Sequence, residues 1–219
     1  MKNNKKTFGI IGLGRFGFSL AKDLSEGGME IIVVDCNESK IRDASQYTEN
    51  AFVVQELSQQ ALSECGIQNC DVVFICIGEK IDTSILTTLN VIEMGVKHVV
   101  SKAISLEQGT VLERLGAEVV YPERDMALRI SKRFTSSHIL EYISLSNDYD
   151  ITELRISQSM HNKTVEELGI RQKYGLNIIA IKKQDETILT DITPDMRLED
   201  HDTIVVCGTK TGIQKFENL

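Results

Sequence analysis

The residues of this chain best suited to chemistry are three glycines, an arginine between them and an aspartate further on: Gly12, Gly14, Gly17, Arg15 and Asp35. The glycines stand as G-x-G-x-x-G behind the apolar run Phe8–Ile11. In a strand–turn–helix unit the first allows a tight turn, the second lets backbone approach a phosphate, and the third lets helix pack closely on strand. The helix start then offers unpaired N–H groups and a partial positive charge to an anion. Asp35 closes the run Glu30–Val34, near the ~20-residue offset at which an acid accepts hydrogen bonds from a ribose diol and repels a 2′-phosphate. Arg15 lies inside the turn. A planar guanidinium there can reach phosphates of the same ligand or of a neighbouring subunit, or simply stay solvated.

An oxidoreductase built on such a turn needs a second region to supply an acid or base and a substrate pocket. None can be read. His98 begins a strand, and His138, His161 and His201 lie in polar, turn-like contexts. There is no Tyr-x-x-x-Lys on a helix and no nucleophile elbow. The chain reads as a nucleotide reader rather than a nucleotide user. The cysteines, Cys36, Cys65, Cys70, Cys76 and Cys207, are odd in number and form no C-x-x-C. They read as reduced thiols and supply no metal site.

The elements that must position the turn follow from periodicity. Short Val- and Ile-rich runs at Phe8–Ile11, Ile31–Val34, Phe52–Val54, Val72–Ile77, His98–Ser101 and Glu118–Tyr121 read as strands buried on both faces. Helical patterns lie between them at Glu38–Gln46, Gln59–Cys65, Thr83–Met94 and Leu106–Leu115. This alternation predicts an α/β, doubly wound parallel sheet, with any ligand at its carboxyl edge. Helical stretches are expected at Met126–Phe134 and Ile139–Ile143, either as a dimer or interdomain contact or as a cap on the sheet. The domain boundary falls at about 135–147, so residues 1–135 form the nucleotide domain and 136–147 a crossover helix or linker. Residues 148–219 read as a small α+β module: strands at Ile151–Ile156, Asn177–Ile181 and Thr203–Cys207, a hairpin at Glu186–Leu189, and a capping box at Thr164-Val-Glu-Glu167. A final helix covers Lys210–Phe216. The net charge of −8 argues against bulk nucleic-acid binding. No window approaches the ~18 apolar residues a spanning helix needs. The basic start Met1–Lys6 is followed by no long apolar stretch, so it does not read as a signal peptide.

On its motifs the chain resembles the RCK (regulator of K+ conductance) family, specifically the Ktr/TrkA-type cytosolic gating subunits of bacterial K+ uptake systems. The motifs are Ile10-Ile-Gly-Leu-Gly-Arg-Phe-Gly17, Ile32-Val-Val-Asp35, Ile77-Gly-Glu-Lys-Ile81, Ser101-Lys102-Ala103, Leu115-Gly-Ala-Glu118, Tyr121-Pro-Glu-Arg-Asp-Met-Ala127 and Ile170-Arg-Gln-Lys-Tyr-Gly-Leu-Asn-Ile-Ile-Ala-Ile181. The resemblance implies a Rossmann-like nucleotide domain (RCK-N) and a small C-terminal module (RCK-C). It also implies homodimers assembled into an octameric ring beneath a K+-translocating membrane subunit. That places the chain in the cytoplasm, peripheral to the cell membrane through its partner. It implies ATP or ADP as ligand, with NAD(H) the alternative in TrkA-type relatives. Carried over by motif, the ligand-binding residues are Gly12, Gly14, Arg15, Phe16, Gly17, Asp35, Cys36, Glu56, Gly78, Glu79 and Lys102. Arg15 approaches the γ-phosphate. Glu123 takes the position that helps hold Mg2+ or Ca2+ near the phosphates, although an acid there also suits a helix start.

The chain departs from the family at Val54-Gln55-Glu56-Leu57-Ser58, a segment that lies beside the adenine, which leaves ATP/ADP versus NAD(H) open. A cyclic di-AMP site in RCK-C would use Arg171, Asn177, Ile178 and Ile179. Asp191 stands where a proline is expected, with Pro194 displaced. Two nucleotides that differ by one phosphate can shift a ring between states only through contacts to that phosphate, which places the burden on Arg15 and the cation.

Overall fold

The computed structural model describes residues 6–135, 139–146 and 148–217; His138 and Asn147 fall outside them. The chain divides into two compact units at Arg124/Asp125. The first contains β1 (Thr7–Ile11), α1 (Arg15–Glu26), β2 (Glu30–Asp35), α2 (Glu38–Ala44), β3 (Ala51–Val53), α3 (Gln59–Glu64), β4 (Val72–Ile75), α4 (Ile81–Glu93), β5 (His98–Lys102), α5 (Leu106–Leu115) and β6 (Glu118–Val120). All six strands pair in parallel in the order β3-β2-β1-β4-β5-β6. The order reverses between β1 and β4, where a crevice opens at the carboxyl edge of a doubly wound sheet.

Strand alternation splits the apolar runs into two layers. Ile10, Ile31 and Val33 pack with Ala21 of α1 and Ile41 of α2. Ile11, Ile32 and Val34 face the other way, with Leu62 of α3 and Val91 of α4. Both sheet faces are therefore covered, and the turn after β1 emerges where the two layers meet.

The second unit begins inside α6 (Pro122–Thr135). It continues with β7 (Ile139–Ser144), β8 (Tyr149–Arg155), α7 (Val165–Leu168), α8 (Ile170–Tyr174), β9 (Asn177–Lys182), β10 (Ile188–Leu189), β11 (Thr203–Thr209) and α9 (Lys210–Glu217). Its sheet runs β10-β9-β11-β8-β7 and its strand pairs are antiparallel. The Glu186–Leu189 hairpin and the Thr164–Glu167 capping box form as expected. The helix expected at Ile139–Ile143 does not: these residues are β7, paired with β8 from Ile139↔Leu154 to Ser144↔Asp150. Apolar residues at 139, 140 and 143 fit either period in so short a run, and pairing with the edge of β8 decides it. The second sheet thus starts before residue 148.

Gly109 on α5 carries the closest approach in the first unit. A Cβ there would sit 1.7 Å from the Tyr121 hydroxyl and 2.6 Å from its ring carbon Cζ. The Arg124 guanidinium lies over that ring, 3.9 Å from its centroid, which anchors the first turn of α6. Gly109→Ala should therefore destabilise the unit by about 1–3 kcal/mol through overpacking, against the ~1 kcal/mol that Ala adds to a helix interior. Tyr121→Phe in the same chain should restore part of the urea midpoint. An unchanged midpoint in Gly109→Ala alone would show that the ring moves freely.

Candidate nucleotide-binding site

The turn after β1 is fixed by two successive amides. Gly12 N–H donates to Val34 O at 2.8 Å, and Leu13 N–H donates to Asp35 Oδ2 at 2.6 Å in a buried setting. Gly12 takes φ +98°, which favours glycine. Gly17 must be glycine for another reason: a Cβ would lie 2.0 Å from Gly12 O. At Gly14 a Cβ would meet nothing within 4 Å. The space above it is available to a ligand.

Helix α1 then starts at Arg15 with no side-chain cap on Gly14 and no acid in its first turn. By contrast α2 is capped by Asn37 and α5 by Ser105, and each carries a glutamate in its first turn. The positive end of α1 is left for an outside anion. Phe16 packs its ring against the core layer that holds Ile10 and Ala21, so its backbone N–H is what it offers.

Asp35 is 7% exposed and is committed to the protein first. Oδ2 takes Leu13 N–H and lies 3.5 Å from Lys40 Nζ; Oδ1 takes Asn37 N–H at 2.8 Å. Oδ2 thus already faces two donors and Oδ1 one. Lys40 was not singled out from sequence; its signal is its place one turn into a helix that starts beside Asp35. Cys36 is exposed, and its carbonyl accepts Gln55 Nε2 at 3.0 Å. The segment after β3 is thus tied down through Gln55, while Glu56 is exposed.

On the other side of the crevice, Gly78 and Glu79 follow β4 and Lys102 ends β5. The ideal Cβ position on Gly78 is 3.5 Å from Lys102 Nζ. Lys102, only 12% exposed, donates to Glu123 Oε1 at 2.6 Å. That hydrogen bond, with a smaller contribution from the charge of Arg15, holds the Glu123 carboxyl below the usual range. Lys102 and, more weakly, Arg15 therefore both act on Glu123. Among the described residues no group of three His, Cys, Asp or Glu side chains forms a metal cluster. A cation here would take Glu123 plus oxygens from a ligand and water, the usual arrangement for Mg2+. Cys76, buried beneath the turn, has its thiol pushed up to about 12 by burial, so it is inert at neutral pH.

The second unit has its own cavity of about 370 Å³, with Glu166, Arg171, Asn177, Ile178, Ile192 and Pro194 in its wall. Pro194 reaches this cavity although it is displaced in sequence. Asp191 is exposed and outside the wall, and so is Ile179.

Residues 8–122 match the TrkA-N domain family and residues 151–219 the TrkA-C domain family. The chain is 38% identical to Ktr system potassium uptake protein C of Bacillus subtilis, covering 97% of this chain and 96% of that protein. It is 36% identical to Ktr system potassium uptake protein A of the same organism over the same shares. Among solved structures it resembles the GsuK channel bound to NAD at a TM-score of 0.65 and 20% identity. That match covers 100% of this chain but 40% of the channel chain, and bears on fold alone.

Gly14 and Gly17, at and just inside the start of α1, should separate stability from binding. Gly17→Ala should lower the unfolding free energy by about 2–3 kcal/mol, because the clash is with backbone that cannot rotate away. Gly14→Ala should leave the melting midpoint unchanged and weaken ADP binding in a fluorescence titration. Equal melting midpoints for the two variants would contradict this geometry.

Proposed function

The chain belongs to the Ktr/TrkA-type RCK family, whose members join a TrkA-N to a TrkA-C domain, and on that premise we propose that it reads an adenine nucleotide for a potassium transporter. It is a regulatory subunit and not an enzyme. The observation that carries the nucleotide reading is an uncapped α1 with an open space over Gly14 at the sheet's switch point, with Arg15 at the helix start and Lys102 at the end of β5 beside the Gly78 loop.

ATP or ADP is the ligand we favour, with NAD(H) the second reading. Arg15 is exposed at the helix start, where one phosphate more or less changes what it can pair with. Asp35 disfavours a 2′-phosphate. Glu123 would hold a divalent cation, Mg2+ or Ca2+, once Lys102 turns to a phosphate. Cyclic di-AMP would be the ligand of the second unit's cavity, with Arg171 for a phosphate, Asn177 for a base edge, and Ile178, Ile192 and Pro194 as apolar lining. The first unit would act as the RCK-N domain and the second, with β7 in its sheet, as RCK-C. Met126, Ile130 and Phe134, spaced by four and each at least half exposed on α6, would supply an apolar face for a homodimer. Such dimers would build a homo-octameric ring beneath a membrane K+-translocating subunit. Among the described residues no helix is long and apolar enough to cross a membrane, so membrane association would come through that partner.

Thermal shift with ATP, ADP, NAD+, NADH and cyclic di-AMP, with and without Mg2+, tests the reading. A ligand at ~100 times its dissociation constant adds about 2.7 kcal/mol to stability. Stabilisation by NADH alone would move the site to the dinucleotide. Arg15→Ala should shrink the difference between ATP and ADP while ADP binding persists; equal loss for both would remove Arg15 from the terminal phosphate. Glu123→Gln should bind ADP several-fold more tightly in EDTA, because a competitor for Lys102 is gone. In Mg2+ the same variant should bind less tightly than the unmodified chain. The same sign in both buffers would exclude Glu123 as a cation ligand.

A further inference from the structure

Five side chains behind the crevice are polar and almost wholly buried: Ser84, Thr87 and Thr88 on α4, Ser101 on β5 and Gln108 on α5, none more than 3% exposed. Leucine-like residues would pack there without the desolvation cost of polar groups. The hydrogen bonds show what the polar groups fix. Gln108 Oε1 accepts the Ile104 N–H at 2.9 Å, and Gln108 Nε2 donates to Ser84 Oγ at 3.2 Å. Thr88 Oγ1 donates to Ser84 O at 2.8 Å, which leaves Ser101 Oγ to donate to Thr88 Oγ1 at 2.9 Å. Lys102 therefore sits between two anchors, Ser101 before it and Ile104 after it. Both lead to Ser84. Ser84 N–H in turn donates to Lys80 O at 2.9 Å, where α4 leaves the Gly78–Lys80 loop.

We infer that Gln108 and Ser84 form a buried strut that sets the spacing between Lys102 and the Gly78–Lys80 loop. Gln108 is then a positioning residue for phosphates that it cannot itself touch. The assignment rests on the nucleotide reading above. Its physical basis is direction: an apolar contact tolerates sliding, whereas an amide satisfied at both ends holds one geometry. The loop and the lysine are close enough for this to matter, with the ideal Cβ position on Gly78 only 3.5 Å from Lys102 Nζ.

The test is ADP affinity of the full chain in Gln108→Leu, Ser84→Ala and the double variant, with Leu112→Ala as control. Gln108→Leu keeps the bulk and removes both hydrogen bonds. It should weaken ADP binding about tenfold, and the double variant should bind no more weakly, because both changes break one strut. Amide exchange at Ile104 should quicken in Gln108→Leu. Leu112→Ala opens a cavity on the same helix without touching the strut. It should lower the melting midpoint yet leave ADP affinity within about twofold. Additive losses, or a lowered midpoint with unchanged ADP affinity in Gln108→Leu, would overturn the strut alone. If Gln108→Leu does not fold, Ser84→Ala decides: unchanged affinity there overturns the assignment. No saturable binding of ATP, ADP or NAD+ by the unmodified chain would overturn the nucleotide reading, and the strut with it.

Discussion

The buried hydrogen bond from Leu13 N–H to Asp35 is the constraint on which the rest of the first unit turns. With the Gly12 amide on Val34 O, it spends two consecutive turn amides on the end of β2. The chain must then swing through a positive φ at Gly12 and return closely enough that only glycine fits at 17. The start of α1 is thereby held at the crevice with its own N–H groups unspent. A charge-assisted bond of this kind contributes about 1.5–3 kcal/mol. Losing it would release the turn itself, so a simple substitution at Asp35 cannot isolate a ligand contact.

The six strands of the parallel sheet could be read from composition because strands buried on both faces must be continuously apolar. The glycine turn could be read because its spacing encodes backbone geometry. What escaped was whatever depends on pairing between distant segments. The stretch 139–144 carries no period long enough to tell strand from helix, and its partner β8 settles the matter. Lys40, Gln55 and Gln108 escaped because each acts through a hydrogen bond or ion pair to a residue far from it in chemistry though not always in sequence. Pro194 was discounted on spacing, yet the loop that carries it folds back to the cavity wall beside Arg171.

The charge arrangement at the crevice has a selective effect of its own. A lysine as buried as Lys102 is costly unless paired, and Glu123 supplies the partner. An arriving anion therefore gains only the difference between its own interaction with Lys102 and that of a carboxylate already in place. A simple carboxylate or chloride gains little. Under the nucleotide proposal, a polyphosphate engaging Lys102, Arg15 and the helix start together would gain much more. The pair adds little to folding because Glu123 is 66% exposed; its effect is to raise the threshold for weak anions.

Glu123 lies in the opening turn of α6, one residue before the first compact unit ends. At 14 residues this helix is a rod about 21 Å long. Its root is gripped by Tyr121 wedged over Gly109 and by Arg124 on the face of the same ring. Lys102 and the Tyr121 ring thus hold the opening turn of α6 from two sides, and both ties lie within the first unit.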